Sequence, residues 1–180
     1  VEFAQGYELK QKKEKKNAEH LQQAIETARR CETVVLFIGL TDDYEAEGFD
    51  RTHMALPAAH DRLVNEILKV NKNVVVVLAG GSPVEMPWID EVNSVLWTWY
   101  AGMEGGNALA DILTGVIVPS GKMPFTLPYK YEDCPVARYG EHKAGNCKYN
   151  EDIFVGYRGF DYDNIEPLVP FGHGISYSEF

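Results

Sequence analysis

Two short runs, residues 33–38 (Thr-Val-Val-Leu-Phe-Ile) and 73–78 (Asn-Val-Val-Val-Val-Leu), constrain most strongly what this chain can fold into. Each is an almost unbroken series of β-branched and apolar side chains. A strand built from such a run needs cover on both faces, as in a parallel sheet flanked by helices. The intervening segments have a different period. From Asn17 the residues Ala18, Leu21, Ile25 and Ala28 recur at intervals of three and four, which gathers them on one side of a helix running to about Arg30. Leu56 and Pro57 open a second helix, where proline suits the first turn because its missing N–H has no partner to lose. Leu63, Val64, Ile67 and Leu68 form that helix's buried side. Gly80, Gly81, Ser82 and Pro83 then break the chain, residues 94–99 read as a third strand, and residues 107–113 read as a helix closed by Gly115. The order helix, strand, helix, strand, strand, helix predicts an α/β fold: a mainly parallel sheet with helices on both faces, the first two runs being adjacent central strands. Ligands of such folds gather outside the carboxyl ends of the strands, so the loops after the first and second strands are the places to search.

The ends of the chain are less regular. Residues 1–9 alternate in a way that suits a strand, and Val1 is no initiator, so the chain reads as a fragment of a larger multi-domain protein. On this reading residues 1–16 are a linker or the end of an upstream or inserted domain, and residues 17–180 are the α/β domain. Residues 10–16 carry five lysines, as expected of a solvated linker or helix start. Past Pro119 we expect a short strand at 123–127, a long irregular loop from 128 to about 150, a strand or turn at 154–160, and a tight closing segment at 170–180 bent at Gly172 and Gly174. Cys31, Cys134 and Cys147 allow at most one internal bridge; for Cys134 and Cys147, in one polar loop, a disulfide and two free thiols both stand open.

Composition removes several functions. With 180 residues, 45% hydrophobic and 24% charged, the chain can bury one ordinary core. A formal net charge of -10, with no basic stripe beyond the lysine run, argues against nucleic acid as a partner. No apolar stretch approaches the roughly 20 residues that span a bilayer, so no membrane partner is expected.

Chemistry concentrates after the first strand, where Asp42, Asp43, Glu45, Glu47 and Asp50 place five carboxylates within nine residues, followed by Arg51. Three readings compete: a solvated acidic loop, a calcium loop, and a carboxyl group kept in a cleft to protonate a leaving group. Calcium fails on spacing, because Met54 stands where an EF-hand needs its bidentate glutamate. After the second strand, Gly80, Gly81 and Ser82 could cradle a phosphate, but there is no G-x-G-x-x-G, and a structural turn is the better reading. No G-x-S-x-G elbow occurs, and His20, His53, His60, His142 and His173 lack paired ligand spacing, so neither a metal nor a cofactor is expected. Trp88, Trp97, Trp99 and Tyr100 could stack on a sugar or simply fill the core.

Seven strings, in order, carry a family resemblance: Glu47-Gly48-Phe49-Asp50-Arg51; Leu56-Pro57; Gly81-Ser82-Pro83-Val84-Glu85-Met86-Pro87-Trp88; Trp99-Tyr100-Ala101-Gly102-Met103-Glu104-Gly105-Gly106-Asn107-Ala108; Pro119-Ser120-Gly121-Lys122-Met123-Pro124; Val155-Gly156-Tyr157-Arg158; and Pro170-Phe171-Gly172-His173-Gly174-Ile175-Ser176-Tyr177. Together they resemble the second domain of glycoside hydrolase family 3, of the β-glucosidase type. The resemblance implies a retaining, exo-acting enzyme that removes terminal β-linked glucosyl or related residues. In that family an N-terminal (β/α)8 barrel of the same enzyme supplies the aspartate nucleophile, and a loop of the second domain supplies the general acid/base, which here is Glu47. Nothing in this chain resembles the barrel, so the isolated chain is expected to be inactive. The implied partners are a β-glucoside or oligosaccharide substrate and the barrel. Glu45 is the rival for the acid/base, while Asp50 and Arg51 are expected to brace the loop and His173 to be structural. The alternative of another class is a non-catalytic carbohydrate-binding or interaction module.

Overall fold

The computed structural model describes residues 1–9, 14–143 and 146–177. They divide into two compact units, one of residues 1–82 and 86–102, the other of residues 83–85 and 103 onward.

The first unit is the expected α/β layer. Helix α1 (Glu14–Ala28) leads to strand β1 (Val34–Gly39), helix α2 (Ala58–Leu68), strand β2 (Val74–Ala79) and strand β3 (Ser94–Trp97). The three strands form one sheet in the order β1-β2-β3, all parallel, with Val34 beside Val74, Gly39 beside Ala79, and Leu78 beside Trp97. Helix α2 buries the predicted stripe of Leu63, Val64, Ile67 and Leu68 and adds His60. It packs against β1 and against α1. Strand β2 is the centre of the sheet, and Val74, Val76 and Leu78 have no solvent exposure. Burying one such valine contributes roughly 1.5–3 kcal/mol.

Strand β1 departs from expectation. It borders β2 but lies at the edge of the sheet, and its side chains alternate: Leu36 and Ile38 are buried, whereas Val35 and Phe37 are 36% and 54% exposed. An uninterrupted apolar run says that a strand tolerates cover on both faces; among the described residues only one face of β1 receives it.

Residues 1–9 form no strand. Their attachments go to isolated groups on neighbouring elements and build no ladder. The Tyr7 hydroxyl donates to the Phe37 carbonyl at 2.9 Å, the Tyr7 ring lies 3.9 Å from that of His60, and Arg30 pairs with Glu2 at 2.8 Å. Gly6 approaches α2 so closely that a Cβ would meet Leu63 Cδ2 at 2.5 Å. The lysine run lies partly outside the described residues; from Glu14 on it belongs to α1.

In the second unit, helix α3 (Gly105–Leu113) ends as predicted before Gly115, which adopts a left-handed φ of 78°. The expected strand at 123–127 is reduced to one antiparallel bridge, Leu127 with Val169, closed by hydrogen bonds of 2.8 and 3.1 Å. Pro124 and Pro128 lack the N–H groups a longer ladder would need. A second tie joins the same segments where Met123 N–H donates to the His173 carbonyl (2.7 Å) and Gly172 N–H to the Met123 carbonyl (2.8 Å).

The region expected to be an irregular loop contains helix α4 (Pro135–Tyr139), with proline in its first turn, and a hairpin of β4 (Glu141–Lys143) and β5 (Asn146–Lys148). The segment read as a strand or turn at 154–160 instead enters helix α5 (Tyr157–Asp163), preceded by Gly156 at φ 58° and closed by left-handed Asn164. Gly159 of α5 lies against Pro135, where a Cβ would collide with the proline ring. Arg138 and the Tyr139 hydroxyl both bind the Asp163 carboxylate, tying α4 to α5. Leu127, Pro128 and Phe160 are buried in this unit. Cys31, Cys134 and Cys147 are all free thiols.

Candidate active site

All three parallel strands of the first unit end on one side, and the loops that leave them meet there. The chain leaves β1 through Leu40, whose N–H still donates to the Ala79 carbonyl of β2 at 2.9 Å. It then turns, as the Thr41 carbonyl accepts from the N–H groups of Tyr44 (2.7 Å) and Glu45 (3.0 Å). Next comes a tighter reversal. Ala46 and Phe49 form an antiparallel bridge, leaving Glu47 and Gly48 as the two residues of its tip. A Cβ on Gly48 would have nothing within 4 Å, and Glu47 is exposed. The Glu47 carboxyl group makes no hydrogen bond or ion pair among the described residues.

Glu45, two residues earlier, is in the opposite situation. Its Oε2 accepts from the Gly81 N–H at 2.9 Å and from the Tyr100 hydroxyl, and its Oε1 accepts from the Ser82 hydroxyl. The same Ser82 oxygen accepts from Arg51 Nη1 at 2.8 Å. Gly81 leaves little room for a side chain: a Cβ would stand 3.1 Å from Tyr100 Cε2 and 3.3 Å from Glu45 Oε2. The turn that resembles a phosphate cradle therefore does hold an anion, and the anion is the chain's own carboxylate.

Electrostatics follow from these contacts. Partial burial works to raise the Glu45 pKa, but the donors on Ser82, Tyr100 and Gly81 and the charge of Arg51 outweigh it, and the carboxyl sits below the ordinary glutamate value. Glu45 is thus ionised at neutral pH, and both of its oxygens accept hydrogen bonds. The Tyr100 hydroxyl is pushed up to about 12 by burial and by its bond to Glu45, so it remains a donor.

Strand β3 contributes the third wall. Thr98 N–H donates to the Leu78 carbonyl and Trp97 Nε1 to the Gly80 carbonyl, each at 2.9 Å. Trp99, which immediately precedes Tyr100, has a left-handed φ of 55°, and its ring lies 5.6 Å from that of Trp97. Trp88 is core, with Nε1 donating to Asp61 at 2.9 Å. A cavity of about 470 Å³ in this unit is lined by Leu21, Tyr44, Pro57, His60 and Arg62 among others, and neither Glu45 nor Glu47 contributes to it.

Of the residues expected at the site, Glu47, Glu45 and Arg51 share this loop, Arg51 bracing it through Ser82 as expected, and Asp50 is exposed. Sequence reasoning missed the joint role of Gly81, Ser82 and Tyr100. Their signal was the pairing of an acidic loop after one strand with a Gly-Gly-Ser turn after the next. Among the described residues no group of three or more His, Cys, Asp or Glu side chains could hold a metal ion, and no helix is long and apolar enough to cross a membrane.

Comparison with known proteins identifies the family of a chain with this sheet and these strand-end loops. Residues 4–177 match the glycosyl hydrolase family 3 C-terminal domain. The chain belongs to that family. It is 45% identical over 178 residues to thermostable beta-glucosidase B of Acetivibrio thermocellus, covering 99% of this chain and 23% of that protein. Among solved structures, it resembles a beta-glucosidase of Bifidobacterium adolescentis with a TM-score of 0.91 and 38% identity, covering 98% of this chain and 26% of the other. It also resembles the beta-glucosidase of Kluyveromyces marxianus in complex with glucose, with a TM-score of 0.85 and 41% identity, covering 91% and 20% respectively. The chain thus spans about a quarter or less of the relatives it matches.

Proposed function

We propose that this chain supplies the general acid/base, Glu47, to a retaining exo-acting glycosidase that removes terminal β-D-glucosyl or related β-glycosyl residues. One observation carries the assignment within the loop: Glu47 stands at the tip of a two-residue turn with its carboxyl group uncommitted, whereas both carboxylate oxygens of Glu45 already accept hydrogen bonds from the chain. A group that must hand a proton to a substrate has to be accessible and able to take that proton back. Beta-glucosidase relatives, one of them solved with glucose, favour glucosides as the substrate class.

The chemistry proposed is a double displacement. The nucleophile, supplied by a (β/α)8 barrel of the same enzyme, attacks the anomeric carbon while Glu47 gives its proton to the departing glycosidic oxygen; in the second half, Glu47 takes a proton from water, which attacks the same carbon and releases the sugar with its configuration retained. In this reading residues 17–180 act as the domain that carries the acid/base and residues 1–16 lead into it. The isolated chain lacks the nucleophile and turns nothing over, and release of glucose from cellobiose by the purified chain would overturn that statement.

The assignment is tested in the intact enzyme. A lost general acid hurts most when the leaving oxygen is basic, so Glu47→Ala is expected to slow cellobiose hydrolysis by about two to four decades. A nitrophenyl β-glucoside should still form the glycosyl-enzyme, giving a burst and then slow turnover. Azide, which needs no deprotonation, should relieve the slow step and yield a β-glycosyl azide. Wild-type behaviour of Glu47→Ala would remove the residue from this role. The competing reading, a non-catalytic carbohydrate-binding module, would leave hydrolysis by the intact enzyme unaffected by the substitution.

A further inference from the structure

We propose that Glu45 is a positioning residue that sets where Glu47 stands, acting through the Ser82 hydroxyl. The inference rests on the assignment of Glu47 as the acid/base.

The geometry has three parts. The tip of the loop is closed on itself by the Ala46–Phe49 bridge, so Glu47 moves with its two flanking legs. The incoming leg is fixed at Glu45, to the turn after β2 through Gly81 and Ser82 and to the segment after β3 through Tyr100. The outgoing leg is fixed at Arg51, and its anchor is again Ser82. One hydroxyl therefore joins both legs. A serine hydroxyl has a single proton: here it is given to Glu45, and a lone pair receives Arg51, so one rotamer of one O–H satisfies both.

The choice of residues fits this role. An ionised carboxylate accepts at both oxygens and can take a backbone N–H, a phenol and an alcohol at once, and those three donors together with Arg51 favour the ionised form. Tyr100 keeps its proton to give. At Gly81 the carboxylate and the Tyr100 ring leave little room for a side chain. The loop would otherwise be a stretch of exposed acidic residues with little apolar surface to hold it. An acid displaced by about an ångström loses much of its effect, which is why such ties matter to rate.

The test uses the intact enzyme and two probes, an alkyl β-glucoside and dinitrophenyl β-glucoside, with and without azide. Glu45→Ala and Ser82→Ala are expected to lower kcat/KM for the alkyl glucoside about 10- to 100-fold and for the dinitrophenyl glucoside less than about 3-fold. Azide should not accelerate either variant, because Glu47 is still present to repel it. Ser82→Thr, which keeps the hydroxyl, should recover most of the loss. An equal loss on both probes, or no loss on either, would overturn the proposal. Azide rescue of Glu45→Ala would overturn it too, by making Glu45 itself the acid/base. Glu47→Ala run in parallel separates the two levels: if it shows no dependence on the leaving group, the underlying assignment fails; if it does and the Glu45 and Ser82 variants do not, only the positioning role fails. Should Glu45→Ala not fold, the contrast between Ser82→Ala and Ser82→Thr decides the question.

Discussion

The two units of the chain are built in different ways. The first is held by repetition: three parallel strands in register, and a helix whose buried residues recur every three or four positions. The second is held at points. Its ties among the described residues include one bridge between Leu127 and Val169, the pair of bonds between Met123 and residues 172 and 173, and the Arg138 and Tyr139 contacts to Asp163. Helix α3 has no fully buried residue, and Val116, Ile117, Ile153 and Ile175 are all exposed. A periodic core spreads its stability over many side chains, whereas a point-tied unit keeps its shape only while each tie holds.

This contrast can be broken most sharply at the centre of β2. Val76 has no exposure, and Val76→Asp would place an unpaired charge where no partner can reach. We expect a loss of about 4 kcal/mol or more, read as a fall in denaturant midpoint or outright failure to fold. An unchanged midpoint would mean that the sheet is not the source of stability.

A smaller effect is expected from His60, which is buried in α2 with its Nδ1 accepting from the Gly39 N–H at 3.3 Å. Burial pushes its pKa down from 6.5 to about 4. Above pH 6.5 the imidazole is neutral in both folded and unfolded chains and nothing is lost. Between pH 6.5 and 4 the unfolded chain takes up a proton that the folded chain refuses, so stability falls by a total on the order of 3 kcal/mol; below that the loss levels off. Denaturation curves at pH 7, 5.5 and 4 should show this slope, and His60→Asn, which keeps an acceptor but does not titrate, should flatten it. A variant with the wild-type slope would assign the acid sensitivity elsewhere.

The smallest effect lies in the second unit. Val116 is 71% exposed, so Val116→Thr should alter stability by no more than about 0.5 kcal/mol. A cost of several times that in the intact enzyme, measured against this chain alone, would reveal that another surface covers the residue there.

How far the fold was legible follows the same division. The apolar runs at β1 and β2, the stripe from Leu63 to Leu68 and Gly115 beyond α3 are local signals with a period or a breaker, and each produced the element it predicts. Helix α5 was misread because its aromatic composition suits a strand; what makes it helical is Gly156 before it, Asn164 after it and the close contact of Gly159 with Pro135, and the last of these is tertiary. Residues 1–9 show the reverse error, an alternating pattern that found no neighbouring strand. At the site, the assignment of Glu47 rests on a family resemblance and remains a proposal; the bracing by Arg51 was legible in the same way, whereas the contacts of Glu45 with Gly81, Ser82 and Tyr100 were not. The tie from Glu45 to Ser82 spans 37 residues and that to Tyr100 spans 55, and nothing in local spacing announces contacts at that range.

Trp99 carries one more consequence. A left-handed backbone at a bulky residue is disfavoured by on the order of 1–2 kcal/mol, and glycine would adopt it freely. The position therefore sets two demands against each other, conformational ease for the backbone and a ring to lie beside Trp97, and the ring has prevailed. Trp99→Gly would relax the main chain yet let Tyr100 swing, exchanging local strain for uncertainty in the direction of the next side chain. The strained residue 99 thus stands directly before the residue whose hydroxyl reaches Glu45.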